Sequence, residues 1–268
     1  MKIIAGGDSF VYGSELADST DSHSKNTFTA LLSNEFEYQC EAYPGFGNDS
    51  IARTVISACE QSDKTDIAVI VLWSFPGRYE FRFSYNTQQK GSPWYTINSW
   101  TVEENIDIIK NMFVTQDAVV LNDQLKTQAR AKQTGIAEFA KSFYSHVGGT
   151  EYWEVYSSLK EIVYLQNYLK VNNIPYLFTC ADNSVIYNYT ADQNDSIIAS
   201  LLNQIDFANW HWFPQGETEW ETQNPRGFYQ WAVENKYDIG TTHPLEQAHR
   251  DAANLMQGKF NDMVKKLV

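Results

Sequence analysis

The chain has 268 residues, of which 33 are acidic and 20 are basic, so its formal net charge is −13. Duplex nucleic acid requires clustered Lys and Arg to neutralise phosphates, and this acidic balance argues against such a partner. The longest unbroken apolar run, Ile67–Trp73, is far shorter than the roughly 20 residues that span a bilayer, and no apolar signal segment follows Met1. We therefore expect a cytoplasmic protein without a membrane partner.

The hydrophobic pattern predicts alternating strands and helices. In chain order these are a strand at Lys2–Gly6, a helix at 27–35, a strand at 38–42, a helix at 50–60, a strand at Ile67–Trp73, a helix at 151–172, a strand at 174–181, a weaker strand at 205–212 and a helix at 245–267. The run Ile67–Trp73 lacks polar alternation, which is typical of a strand buried on both faces. Because parallel neighbours need crossover connections, the alternation predicts a parallel α/β sheet.

Residues 78–149 do not follow this alternation. They begin with an aromatic-rich stretch from Tyr79 to Trp100 and continue with predicted helices at 102–113 and 123–145. No Gly/Ser/Pro-rich linker flanks the segment, so we interpret it as an insertion or lid. The fold prediction is a single three-layer α/β/α domain over residues 1–268, flavodoxin-like, with a parallel sheet of about five strands and this aromatic, partly helical insertion.

The first candidate for chemistry is Ser9, in the tetrapeptide Gly7-Asp8-Ser9-Phe10 directly after the first strand. Sites in open α/β sheets form at the carboxyl ends of strands. A serine that enters a helix there lies near amides that stabilise a developing negative charge. The alternative interpretation is that Ser9 or Asp8 only caps the helix.

The second candidate is His243, which precedes Pro244 at the predicted start of the last helix. Serine needs a base to become a nucleophile, and a histidine on a rigid loop at the same sheet edge supplies one. The alternative is an ordinary surface histidine.

The third candidate is the glycine-rich segment Pro44-Gly45-Phe46-Gly47-Asn48, which follows the second predicted strand. Glycine lets a backbone N–H approach a substrate oxygen closely, although a plain turn explains the glycines equally well. A dinucleotide fingerprint is excluded, because it would need a glycine where Ser50 stands.

Together these three segments resemble the SGNH (GDSL-like) hydrolase family. Ser9 matches the nucleophile position, Gly45 (alternatively Gly47) matches the glycine whose N–H binds the oxyanion, and His243 matches the base. The order, with serine first and histidine last, also fits, as does the absence of a Gly-x-Ser-x-Gly elbow. The resemblance covers roughly residues 1–77 and 174–268 and implies a serine esterase.

The sequence departs from the family pattern at two positions. The family's oxyanion asparagine after the third strand is missing, and Ser74 or Arg78 is the predicted substitute. The family's acid, three residues before the histidine, is replaced by Gly240, so we predict that Asp238 orients His243 and keep Asp182 as the alternative. Loss of an unreplaced oxyanion donor costs on the order of 10²–10³ in rate.

We expect Ser9, His243 and Asp238 to hydrolyse a small acyl ester, acetate on a carbohydrate, without a cofactor. The net charge disfavours anionic substrates. The alternative is a weakly active or inactive module that binds glycan or a protein partner through its aromatic loops. The oligomeric state is left open.

Other residue patterns predict less. The histidines and cysteines lack ligand spacing, so no metal site is expected; these residues are His23, His146, His211, Cys40, Cys59 and Cys180. Glu217, Glu219 and Glu221 leave a paired-carboxylate glycosidase site as an alternative. Tryptophans in or near predicted loops either stack on sugar rings or pack the loops; these are Trp73, Trp94, Trp100, Trp210, Trp212 and Trp220.

Overall fold

Strand β3 (Ile67–Trp73) lies inside a four-stranded parallel sheet and is buried along its whole length. The computed structural model describes residues 1–19, 22–84, 93–102, 134–187, 195–214 and 225–267. The sheet has the order β2-β1-β3-β6, with β1 at Lys2–Gly6, β2 at Glu37–Cys40 and β6 at Tyr176–Cys180. A separate antiparallel pair joins β4 (Tyr79–Arg82) to β5 (Trp94–Ile97).

The described helices lie in ten segments. They are α1 (Ser9–Tyr12), α2 (Phe28–Leu32), α3 (Asn48–Glu60), α4 (Ser99–Val102), α5 (Ile136–Phe143), α6 (Glu151–Val171), α7 (Ser184–Tyr187), α8 (Ser196–Gln204), α9 (Phe228–Glu234) and α10 (Glu246–Val264). Side chains at their starts cap several of them: Thr150 Oγ1 accepts from Trp153 N at α6, and Asp195 Oδ1 accepts from Ile198 N at α8.

Two hydrophobic cores cover the two faces of the sheet. Alternate residues of β3 point to opposite sides: Val69 and Val71 pack with α3, α6 and α8, whereas Ile70 and Leu72 pack with α1, α2, α9 and α10. The arrangement confirms the predicted three-layer α/β/α class with a parallel sheet. It also explains why the sequence of β3 is apolar at every position.

The predicted fifth strand at 205–212 is wrong. This segment forms a 3₁₀ turn at Phe207–Asn209, with the Asp206 carboxylate accepting from Ala208 N. Only one isolated parallel bridge, between Phe178 and Trp210, links the segment to β6. The side-chain cap and turn compete with an extended ladder, so the described sheet has four strands.

The described parts of the predicted insertion contain structure that the sequence pattern did not indicate. The aromatic stretch forms the β4–β5 hairpin, and α5 occupies part of the predicted 123–145 helix. Tyr79, Tyr95, Ile97, Ile136 and Ala140 form a small buried cluster there. Residues 103–133, with most of the predicted helix at 102–113, lie outside the described residues. The single-domain assignment stays a prediction.

No helix within the described ranges is both long and apolar enough to cross a membrane.

Candidate functional site

The candidate site lies where β1, β2 and β3 end. Ser9 is the first residue of α1, three positions after β1, Gly45 lies in the turn after β2, and Ser74 directly follows β3. The three strands are parallel neighbours, so their carboxyl ends meet at one edge of the sheet. This edge is where parallel α/β sheets place their binding sites.

Asp8 is fully buried beneath Ser9 and fixes the start of α1. Its Oδ1 accepts from Phe10 N at 3.0 Å, which is the N-cap interaction. Its Oδ2 accepts from Ser74 Oγ at 2.6 Å and from Arg78 Nη1 at 3.2 Å. The cap interpretation therefore applies to Asp8, and Ser9 is left with its side chain partly exposed.

Asn48 holds the backbone of Ser74 in place. Its Oδ1 accepts from Ser74 N at 2.8 Å, and its Nδ2 donates to Ser74 O at 3.2 Å and to Ser158 Oγ at 3.0 Å. Ser74 is itself fully buried, and its hydroxyl donates to Asp8. Ser74 is thus committed to positioning Asp8 and is poorly placed to replace the missing oxyanion asparagine.

Arg78 lies beside the same network and keeps part of its guanidinium uncommitted. Its Nη1 donates to Ser74 Oγ at 3.0 Å and to Phe46 O at 3.4 Å, in addition to Asp8. The guanidinium carbon stands 5.2 Å from the centre of the Phe75 ring. Its Nε and Nη2 donate to no residue in the described ranges, so they remain available as donors.

Gly45 and Gly47 are glycines for different reasons, one conformational and one of packing. Gly45 has φ +85°, which favours glycine, and a Cβ there would meet open space. At Gly47 a Cβ would lie 2.5 Å from Arg78 O, so close packing requires the glycine. Neither the Ser9 N–H nor the Gly45 N–H donates to any described residue, which leaves both free for a substrate oxygen.

The imidazole of His243 is paired with Glu15. His243 Nδ1 lies 2.9 Å from Glu15 Oε1 and 2.9 Å from Thr242 Oγ1. Burial raises the pKa of the Glu15 carboxyl, but the hydrogen bond and charge of His243, with the N–H groups of Thr242 and Thr241, lower it more, and the net pKa is below its ordinary value. The carboxylate therefore stays ionised beside the ring.

The structure does not bring Asp238 to His243. Asp238 is exposed, and its backbone carbonyl accepts from Leu245 N at 2.9 Å, which closes the loop around His243. The alternative acid, Asp182, accepts from Ser184 N, the first residue of α7, at 2.8 Å. The carboxylate beside His243 is therefore that of Glu15 and not that of the predicted Asp238; Glu15 is 228 positions from His243 in sequence, so local spacing gives no sign of this contact.

Phe10 is the described link between Ser9 and His243. The imidazole packs edge-on against the Phe10 ring with centroids 5.1 Å apart, and Phe10 directly follows Ser9. No hydrogen bond joins Ser9 Oγ to His243 in the described part of the chain. Catalytic hydrogen bonds are often long without substrate, so this geometry is compatible with a nucleophile–base pair.

The other residues singled out from the sequence lie in structural settings. His211 is buried against Phe213, which lowers its pKa to about 4 through desolvation and the nearby charge of Lys259. His146 Nδ1 lies 2.8 Å from Ser142 O, and the His23 ring lies 5.7 Å from the Tyr38 ring. No cluster of three metal-ligating residues occurs among the described residues.

The tryptophans divide between the core and the surface. Trp73 and Trp210 are fully buried, so packing and not sugar stacking accounts for them. Trp212 and Trp94 are half-buried, the latter with the Arg53 guanidinium 4.8 Å from its ring centre. The Trp100 side chain, Trp220 and the three acidic residues Glu217, Glu219 and Glu221 lie outside the described residues.

Sequence reasoning missed Glu15 and Asn48 as parts of the site. The one local signal for Glu15 is its place shortly after α1, which begins at Ser9. For Asn48 the signal is its place at the end of the glycine-rich segment. Each of the two contacts a partner that is distant in sequence, and a single sequence gives no sign of such a contact.

No protein-family model matches the chain, and no curated protein sequence matches it. Among solved structures, the chain is similar to the psychrotrophic esterase EstA from Pseudoalteromonas sp. inhibited by monoethylphosphonate, with 10% identity, a TM-score of 0.46 and 98% of each chain covered. It is also similar to a carbohydrate esterase whose active site displays divergent catalytic and non-catalytic binding functions, with 14% identity, a TM-score of 0.42, and 100% of this chain and 70% of that one covered. Both TM-scores are below 0.5, so the function proposed below rests on the residues of the site.

Proposed function

We propose that this protein is a serine esterase in which Ser9 is the nucleophile and His243 is the base. The observation that carries the proposal is the imidazole of His243, held by a carboxylate at Nδ1 and packed against the residue next to Ser9. This is the arrangement of a nucleophile, a base and a group that orients the base.

The reaction proceeds by acyl transfer to Ser9. The Oγ attacks the acyl carbon while His243 Nε2 accepts its proton, and the resulting imidazolium then protonates the leaving alcohol. Water attacks the acyl-enzyme in the second half, with the same nitrogen accepting and returning a proton. Because Nδ1 faces Glu15, the tautomer protonated at Nδ1 leaves Nε2 as the acceptor.

The negative charge that develops on the acyl oxygen is stabilised by backbone and side-chain donors. The uncommitted N–H groups of Ser9 and Gly45 are the backbone pair. Arg78 supplies the third donor through Nε or Nη2, in the place of the missing asparagine, whereas Ser74 is already engaged with Asp8. Gly47 serves the packing of the loop.

The substrate is an ester of a small acyl group, acetate, on a neutral carbohydrate. The net charge of −13 repels anionic substrates at long range. The half-buried rings of Phe75 and Tyr229 lie together against the buried Phe10, whose ring contacts His243. Partly exposed rings such as these two supply flat apolar contacts for a sugar.

Replacing Ser9 tests the proposal. Wild-type protein is expected to hydrolyse p-nitrophenyl acetate, and Ser9→Ala to lose that turnover, because the nucleophile is gone. Release of p-nitrophenol is followed by its absorbance, and kcat values of typical enzymes are about 1–10³ per second. Ser57→Ala, on the exposed side of α3, is the matched control and should behave as wild type.

The alternative function is a weakly active or inactive module that binds glycan or a protein partner through its aromatic loops. It is favoured by the lack of a hydrogen bond between Ser9 Oγ and His243 among the described residues and by the missing asparagine. Equal rates for wild type and Ser9→Ala would support this alternative and contradict the esterase.

A further inference from the structure

We infer that Glu15 is the residue that orients His243, and that its carboxylate occupies the space in which an acid three residues before the histidine would lie. This inference rests on the proposed function and deepens it. The orienting carboxylate is carried by the nucleophile segment itself, six residues beyond Ser9, and not by the histidine loop.

The Glu15 carboxylate has a full set of partners in the histidine loop. Oε1 faces His243 Nδ1 at 2.9 Å and accepts from Thr242 Oγ1 at 3.2 Å. Oε2 accepts from the backbone N–H groups of Thr241 and, at 3.3 Å, Thr242. A carboxylate held by several donors keeps a fixed position, which is what orienting an imidazole requires.

The missing side chain at Gly240 independently supports the placement of the Glu15 carboxylate. A Cβ at Gly240 would lie 2.2 Å from Glu15 Oε2, so a side chain there would require the hydrogen-bonded carboxylate to move away from the loop. Gly240 is not among the residues with positive φ, so the backbone conformation does not require glycine. The absence of a side chain at the position of the usual acid is therefore explained by the presence of Glu15.

The backbone at Glu15 adds a further sign of constraint. Glu15 has φ +71°, in the left-handed region that non-glycine residues rarely adopt. Such a conformation is energetically unfavourable for a residue with a side chain and persists where surrounding contacts fix it. A reciprocal contact braces the same two segments, since Glu246 Oε1 at the start of α10 accepts from Ala17 N at 3.0 Å.

In this role Glu15 takes no proton. It accepts the hydrogen bond from Nδ1–H, holds the tautomer in which Nε2 is the acceptor, and stabilises the imidazolium that forms when Ser9 Oγ gives up its proton. Glu15 is thus a positioning residue, and it touches no substrate atom.

Glu15→Gln is the first test, on the full-length chain. The amide keeps the shape of the side chain but can present N–H to Nδ1, which favours the wrong tautomer; kcat for p-nitrophenyl acetate should fall by roughly 10²–10⁴ with little change in KM. The matched control is Glu35→Gln, at an exposed position, which should leave kcat unchanged. An unchanged kcat in Glu15→Gln, or an equal loss in Asp238→Asn, would overturn the inference.

The second test moves the carboxylate from position 15 to position 240. A purely structural role of Glu15 would not lead to recovered activity in the double variant. Glu15→Ala should lose activity, and Gly240→Asp alone should lose activity because two carboxylates compete for one space. The double variant Glu15→Ala/Gly240→Asp should regain at least about tenfold over Glu15→Ala, since the new carboxylate enters the vacated space. A double variant no better than the worse single variant would contradict the inference.

A readout that needs no turnover separates this inference from the esterase proposal. ¹⁵N NMR of the His243 ring should show the proton on Nδ1 in wild type and its redistribution in Glu15→Gln. If wild type shows that tautomer but Ser9→Ala turns over as fast as wild type, only the esterase proposal fails. If turnover depends on Ser9 but the tautomer is the same in Glu15→Gln, only the role of Glu15 fails.

Discussion

Asp8 is the residue through which the candidate nucleophile is connected to the rest of the fold. Its carboxylate is fully buried and is compensated by the Arg78 guanidinium, the Ser74 hydroxyl and the Phe10 N–H. A buried charge is tolerated only with such a set of partners. The place of Ser9 is therefore determined by side chains that follow β3 as well as by its own helix.

Ser74→Ala tests this connection at the residue scale. Removing the hydroxyl leaves a buried carboxylate with one partner fewer, so the free energy of unfolding in urea should fall by about 1–3 kcal/mol. We also expect a lower kcat for p-nitrophenyl acetate, because Asp8 no longer fixes the turn that carries Ser9. The exposed Ser57→Ala is the comparison. Unchanged stability and kcat in Ser74→Ala would show that Ser74 does not support the site.

Local sequence motifs predict the segments of the candidate site but not the contacts between them. Ser9, Gly45 and His243 are predictable as candidates because each stands in a short recognisable pattern. Glu15 and Asn48 were missed because each acts on a partner distant in sequence, and their local surroundings resemble ordinary loop and helix starts. The glycine at 240 was read as a missing acid, whereas in the structure it makes room for one.

At the scale of elements, the parallel sheet was predictable because burial on both faces leaves an unmistakable apolar run in β3. The segment 205–212 carries Phe207, Trp210 and Trp212, but Asp206 caps a turn there, and a single described bridge links the segment to β6. The β4–β5 pair is the opposite case, because here two strands form that the sequence pattern does not predict. Its aromatic residues are buried in a small cluster of their own, which simple alternation does not reveal.

His249 joins two elements behind the site. It is carried by α10 and is buried, and its Nδ1 accepts from Phe28 N at the start of α2 at 3.2 Å. Desolvation, with the nearby charge of His243, lowers its pKa to about 3 and outweighs the raising effect of the Pro244 carbonyl. The folded protein therefore holds this ring neutral and uses it as an acceptor.

His249→Gln tests the pH dependence that follows. The unfolded chain binds a proton at this residue below about pH 6.5, and the folded chain does so only near pH 3. The ring's contribution to stability is thus complete above pH 6.5 and declines as pH falls towards 3, by up to about 1.4 kcal/mol per pH unit. The difference in unfolding free energy between wild type and His249→Gln should accordingly change between pH 7 and pH 4 in urea titrations. If the unfolding free energies of the two proteins change in parallel between pH 7 and pH 4, His249 does not contribute the predicted pH dependence.

At the scale of the whole molecule, residues from both ends of the chain meet at one edge of the sheet. Ser9 and Glu15 come from the first segment and His243 from the last, with the β2 and β3 loops between them. The sequence order of the motifs suggested this meeting. The pairing that holds the two ends together, Glu15 with the loop at 241–243 and Glu246 with Ala17, depends on tertiary structure.

Covalent trapping shows whether Ser9 is the nucleophile. The protein is incubated with a fluorophosphonate, and the adduct is located by intact mass and peptide mapping. We expect a single adduct on Ser9, absent in Ser9→Ala and formed more slowly in His243→Ala, since only an activated serine attacks phosphorus. No adduct in the wild-type protein, or an adduct on another residue, would show that Ser9 is not the nucleophile.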